Sequence, residues 1–188
     1  MSEVIDIEYS KLEDLGIAPW ISCNGNMPYF SLALFNPEEL FKHLLLVDDP
    51  SDKKYRKTRR VFVVDEVEHS VKICSQRYTL FSRGISCMCC GAKGEYMSLD
   101  EWVLDGGCHF NLYSVVDNEL ILMTKDHIVP KSKGGKNNLD NYQTMCSPCN
   151  ELKGDVEMTL EELRDHRNEL REHVKMMRKR HAMMKGRV

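Results

Sequence analysis

Two pairs of cysteines stand in C-x-x-C spacing, Cys87-Met-Cys-Cys90-Gly91 and Cys146-Ser-Pro-Cys149. That arrangement lets four thiolates surround one zinc ion tetrahedrally at about 2.3 Å. Gly91 suits the tight turn of a knuckle and favours the pair 87/90 over 87/89. Four buried thiols without a metal are the alternative. The other cysteines, Cys23, Cys74, Cys89 and Cys108, have no such partners and read as ordinary half-buried thiols. A zinc with four cysteine ligands has no vacant position, so it is structural and any chemistry must lie elsewhere. The residues suited to it are Lys125-Asp126-His127-Ile128-Val129-Pro130, the Gly134-Gly135 loop, Asn141 and Asn150.

The run CMCCG, followed by KDHIVPKSKGGKNNLDNYQTMCSPCNELKGD, resembles the HNH nuclease family over residues 76 to 154. Knuckle, Asp-His strand, Gly-Gly loop, Asn, second knuckle, Asn and Lys-Gly follow in that family's order, with Asn150 in place of the final His. The resemblance implies hydrolysis of phosphodiesters, leaving 5′-phosphate and 3′-hydroxyl ends. His127 would take a proton from the attacking water, a role suited to an imidazole titrating near neutrality. Asp126 and Asn150 would hold one divalent cation, and their oxygen donors suit Mg²⁺ or Mn²⁺ better than zinc. Asn141 would pin the loop to the strand and so orient the base; its alternative is a plain turn residue. Adjacent strand residues point to opposite faces, so Asp126 and His127 share a site only if the metal sits at the strand edge. Lys131, Lys133 and Lys136 on the loop, and Lys153 at the end of the short helix, are candidate phosphate contacts through charge alone, or else simply solvated.

These side chains need elements to carry them. Phe110–Val116 and Leu120–His127 read as two strands around an Asp117-Asn118-Glu119 turn. Residues 130–141, rich in Lys, Gly and Asn, form a loop, and Tyr142–Cys146 returns as a strand. Ser147 reads as an N-cap, with Pro148 at the first helical position and Gly154 as the stop. The expected core is therefore α+β, a ββα-metal unit stapled by the four-cysteine zinc site, spanning residues 71–158. Residues 1–70 are expected to form an α+β extension. It contains a strand at PYFSLALF, a helix at PEELFKHLLLV, a polar turn from Asp48 to Lys54 and a strand at RVFVV. A short amphipathic helix over Lys72–Phe81 leads to Cys87. Residues 159–188 are expected to form a basic amphipathic helix opened by a Thr159/Glu162 capping box. Its apolar side, Leu160, Leu163, Leu170, Val174 and Met177, should lie on the body.

The formal net charge of the 188 residues is −3, but its distribution is uneven. Residues 1–50 hold nine acids against Lys11 and Lys42, whereas residues 164–188 hold nine bases against Asp165, Glu169 and Glu172. Local charge governs contact with phosphate, so the acidic total does not exclude nucleic acid. Lys53–Arg60 is a second basic cluster, either a protected strand edge or a DNA contact. No apolar run is long enough to span a bilayer, and MSEVIDIEYSKLEDLG has acids where a signal peptide needs bases. The expectation is a cytoplasmic protein, in the host cytoplasm if phage- or mobile-element-encoded. The expected partner is double-stranded DNA, nicked by a monomer and cut through by a dimer. A homodimer and a protein partner for residues 1–70 stay open, as do an RNA-directed nuclease and a catalytically silent zinc-stapled binding module.

Overall fold

The computed structural model describes residues 4–17, 20–23, 26–48, 53–102, 106–116 and 118–185, with backbone alone at 20–23, 26–28, 53, 56 and 178–185. Glu3, residues 49–52 of the polar turn, Asp117 and Arg187 therefore lie outside the described residues. So do the side chains of Cys23, Lys53, Arg56 and the bases from Arg178 onward. The elements run β1 Val4–Ile5, β2 Trp20–Cys23, β3 Asn26–Phe35, α1 Pro37–Phe41, α2 Lys53–Arg56, β4 Arg59–Val64, β5 Val67–Lys72 and α3 Gln76–Arg83. They continue with β6 Tyr96–Trp102, β7 Cys108–Val116, β8 Glu119–His127, β9 Tyr142–Cys146, α4 Ser147–Lys153 and α5 Leu160–Lys185.

Strands β1-β4-β5-β7-β6-β3-β2 lie side by side in that order, and β8 adds β9 through its own pairing. Period-two alternation shows why this sheet is buried on both faces. Met97 and Leu99 of β6, with Phe110 and Leu112 of β7, face an apolar core that also takes in Phe35, Leu40, Phe62, Tyr78 and Phe81. Phe110 is its hub, meeting Phe62 edge-on at 4.9 Å and Phe35 at 5.8 Å between ring centroids. The alternate residues Ser98, Asp100 and Asn111 are just as buried. They satisfy one another instead of packing as hydrocarbon. Asp100 accepts hydrogen bonds from Ser98 Oγ, from Asn111 Nδ2 at 2.6 Å and from the Tyr113 hydroxyl at 2.8 Å.

The strand that matters most for function is β8, because it belongs to two pairings. Its first half, through Leu122, pairs with β7, and its second half, Met123–His127, pairs with β9. The large sheet thus carries the β8–β9 hairpin at its margin, and α4 follows β9 without a break. Some local boundaries depart from expectation: the helix expected over Lys72–Phe81 begins at Gln76, and Lys72 ends β5. Helix α1 ends at Phe41, so Lys42 and all of HLLLV lie outside it. Cys146, not Ser147, is the N-cap of α4, which moves Pro148 one position further in.

The apolar side of α5 departs from expectation more widely. Leu163 is fully buried, but Leu170, Val174 and Met177 are exposed at 49%, 40% and 51%. The helix therefore docks by its first two turns and projects beyond them. The boundary expected at residue 70 falls inside β5, and the sheet draws strands from both sides of it. Strands β1, β2, β5 and β6 and the helical turn α2 had no counterpart in the sequence reading. Among the described residues no helix is long and apolar enough to cross a membrane.

Candidate active site and metal centre

Cys87 opens a tight knuckle: its N–H donates to the Ala92 carbonyl at 2.8 Å, and its own carbonyl accepts from Gly91 N–H at 2.9 Å. Gly91 has φ +75°, the left-handed region that a side chain disfavours. The Met88 N–H donates to the Thr144 carbonyl at 3.0 Å, which lays the knuckle along β9. Cys146 ends that strand and Cys149 lies in the first turn of α4, so the two pairs meet. The sulfurs of Cys87, Cys90, Cys146 and Cys149 all lie within 4.8 Å of one another, and Cys90 and Cys146 are 3.7 Å apart. Zinc–sulfur bonds of 2.3 Å in a tetrahedron place sulfurs about 3.8 Å apart, so the cluster fits a zinc ion. Hydrogen bonds from the Cys146 and Cys149 thiols hold Cys87 below the ordinary thiol range. Cys89 is buried beside the cluster but outside the four, and burial raises its thiol.

The hairpin presents two faces, as its register requires. Asp126 stands opposite Gln143, and His127 opposite Tyr142. On the first face Asp126 is buried and accepts from Gln143 Nε2 at 2.8 Å. Lys153 arrives from α4, with Nζ 3.1 Å from Asp126 Oδ2 and 3.2 Å from Oδ1, and also donates to the His127 carbonyl at 2.7 Å. Lys153 is only 2% exposed, which corrects its expected place among the surface phosphate contacts. Burying an ammonium is tolerable only with such a partner, so its charge is committed to Asp126. Asn150 sits one helical turn before Lys153, on the same side of α4, and among the described residues its side chain has no hydrogen bond.

On the second face the imidazole of His127 meets the Tyr142 ring edge-on at 4.8 Å, and its Nε2 lies 2.9 Å from Asn137 Oδ1. Lys125 Nζ lies 3.9 Å from the centre of the Tyr142 ring, a cation–π geometry. Burial, then the charges of Lys131 and Arg77, lower the Lys125 ammonium below its usual range, and burial raises the Tyr142 phenol.

Asn141 ties the loop together. Its Oδ1 accepts from the Val129 N–H at 2.9 Å, and its Nδ2 donates to the carbonyls of Val129 and Lys136, each at 3.0 Å. Gly135 lies so close beneath Val129 that a Cβ would stand 1.8 Å from the Val129 carbonyl oxygen. Lys131, Lys133 and Lys136 are all exposed on this loop.

This geometry acquires a family from comparison with known proteins. Residues 116–166 match the family model for HNH endonuclease. That segment belongs to the HNH endonuclease family. The match runs from the end of β7 into α5, covering the hairpin, the loop, the second knuckle and α4. No curated protein and no solved structure matches the chain. Two residues around His127 escaped the sequence reading. Asn137, inside the HNH segment, carries no signal beyond being one of several loop asparagines. Gln76 lies 40 residues before the HNH segment begins, and only folding brings it near.

Proposed function

We propose that this protein is a metal-dependent HNH endonuclease hydrolysing DNA phosphodiester bonds, with a ββα-metal site formed by β8, β9 and α4. The observation that carries the reading is the bond between His127 Nε2 and Asn137 Oδ1. An amide oxygen can only accept, so Nε2 carries a proton, and in the neutral ring the lone pair is then on Nδ1. His127 is thereby preset to take a proton from the attacking water through Nδ1. Asn141 holds the loop that carries Asn137, and so acts on His127 at one remove.

The four cysteines would hold a structural zinc. Asp126 and Asn150 would hold Mg²⁺ or Mn²⁺, since their donors are hard oxygens. When bound, that ion would neutralise charge on the phosphate and the leaving oxygen. Lys153 would tie the end of β8 to α4 through Asp126 and the His127 carbonyl. Lys131, Lys133 and Lys136 would bind phosphate without sequence preference. One such site cuts one strand per engagement, so a monomer would nick.

Incubation of supercoiled plasmid with Mg²⁺ tests this reading. Wild type should convert plasmid to the nicked form, EDTA should stop it, and His127→Ala should reduce the rate at least about 100-fold. Equal cleavage by H127A would remove His127 from the role of base. Binding without cleavage of either DNA or RNA would identify a silent module instead.

A further inference from the structure

We propose that Gln76, at the start of α3 and outside the HNH segment, is the positioning residue for His127, so that the sheet preceding the nuclease segment completes the site. The inference rests on the reading of His127 as general base. Two groups fix the His127 ring, Asn137 through Nε2 and Tyr142 through its ring, and the Gln76 amide engages both. Its Nε2 donates to the Asn137 carbonyl at 3.3 Å. Its Oε1 accepts from the Tyr142 hydroxyl at 3.2 Å and from Lys125 Nζ at 3.1 Å. The Tyr142 hydroxyl is also 3.3 Å from Asn137 Oδ1, the atom that meets His127. One amide thus joins β8, β9 and the loop, the three pieces whose relative placement sets the imidazole.

Gln76 is itself held from the large sheet. Ser75 caps α3, accepting from the Arg77 N–H at 3.3 Å. The Arg77 guanidinium donates to Asn111 Oδ1 at 2.8 Å, and Asn111 donates to the fully buried Asp100 at 2.6 Å. The residue next to Gln76 is therefore anchored in β6 and β7, beyond the matched family segment. An amide is the group this position needs, since it must donate to a carbonyl and accept from two donors at once.

Gln76→Ala and Gln76→Glu, made in the full chain with zinc content checked, test the proposal. Q76A should lower kcat about tenfold with KM within about twofold, since a loosened base loses part of the 10²–10⁴-fold that a positioned one supplies. Nitrogen NMR of the His127 ring should change from one tautomer, protonated at Nε2, to a mixture. Q76E, which still accepts from Lys125 and Tyr142, should lose about threefold. Unchanged kcat in Q76A, a loss confined to KM, or a lower kcat with unaltered His127 ring signals would each overturn the proposal. The NMR signature reads whether or not the wild type cuts plasmid, so failure of this proposal and failure of the nuclease reading are distinguishable.

Discussion

Asp100 and His109 show what burial does to single ionisable residues. Burial raises the Asp100 carboxyl to about 6, against hydrogen bonds from Ser98, Asn111 and Tyr113 that favour its charged form. Burial, assisted by Arg77, lowers His109 to about 4. For Asp100 the folded value exceeds the unfolded one of 3.8, so its contribution to stability rises as pH falls through 6 toward 4. For His109 the folded value lies below 6.5, so its contribution falls as pH drops from 6.5 to 4. The two oppose each other in one window. Relative to wild type, His109→Gln should gain about 2 kcal/mol of unfolding free energy between pH 7 and pH 5, and Asp100→Asn should lose about 1 kcal/mol. Urea denaturation at the two pH values checks both signs. In the sequence Asp100 goes unmarked and His109 is set aside as a lone histidine, because neither residue type carries a mark of the desolvation it will meet.

At the level of elements, the 130–141 loop is held by contacts too close for side chains. Gly135→Ala would force a methyl group into the Val129 carbonyl and displace Asn141 Nδ2, which lies 2.8 Å from the same point. Cleavage should fall about 100-fold, the cost of a misplacement on the order of 1 Å, while metal content matches that of wild type. Gly134→Ala meets open space but keeps φ +86°, so it should cost about 1 kcal/mol of stability and leave most activity. Thermal melts and plasmid assays of the two variants separate steric from conformational demands. The hairpin and α4 were legible because their signals are local: β-rich runs on either side of the Gly-Gly loop, and Gly154 as a stop. Helix α5 was legible in extent, and its capping box forms, with Thr159 N–H donating to Glu162 Oε2 at 2.7 Å. Its burial was not legible, because an apolar stripe states which side can be buried and not whether anything lies there to cover it.

Across the whole molecule, the cysteine cluster joins the segment after α3, the end of β9 and the start of α4, and α5 leans on the same knuckle. Arg164 donates to the Cys89 carbonyl at 3.0 Å and to the Met88 carbonyl at 2.7 Å. Removing the metal with a chelator, or replacing a ligand as in Cys149→Ser, should lower Tm on the order of 10–20 °C and abolish cleavage, as calorimetry with metal analysis would read. By itself the sequence determined the two knuckles, the order strand, loop, strand, helix, and the candidates Asp126, His127, Asn141 and Asn150. Each depends on residue type and short spacing. Only the tertiary structure decided which partners those residues have. It paired Lys153 with Asp126 instead of exposing it, set Asn137 on His127, brought Gln76 from α3 to the loop and merged residues on both sides of position 70 into one sheet. Pairings of that kind join positions far apart in the chain, and their energy comes from burial and mutual satisfaction of polar groups, which no local pattern records.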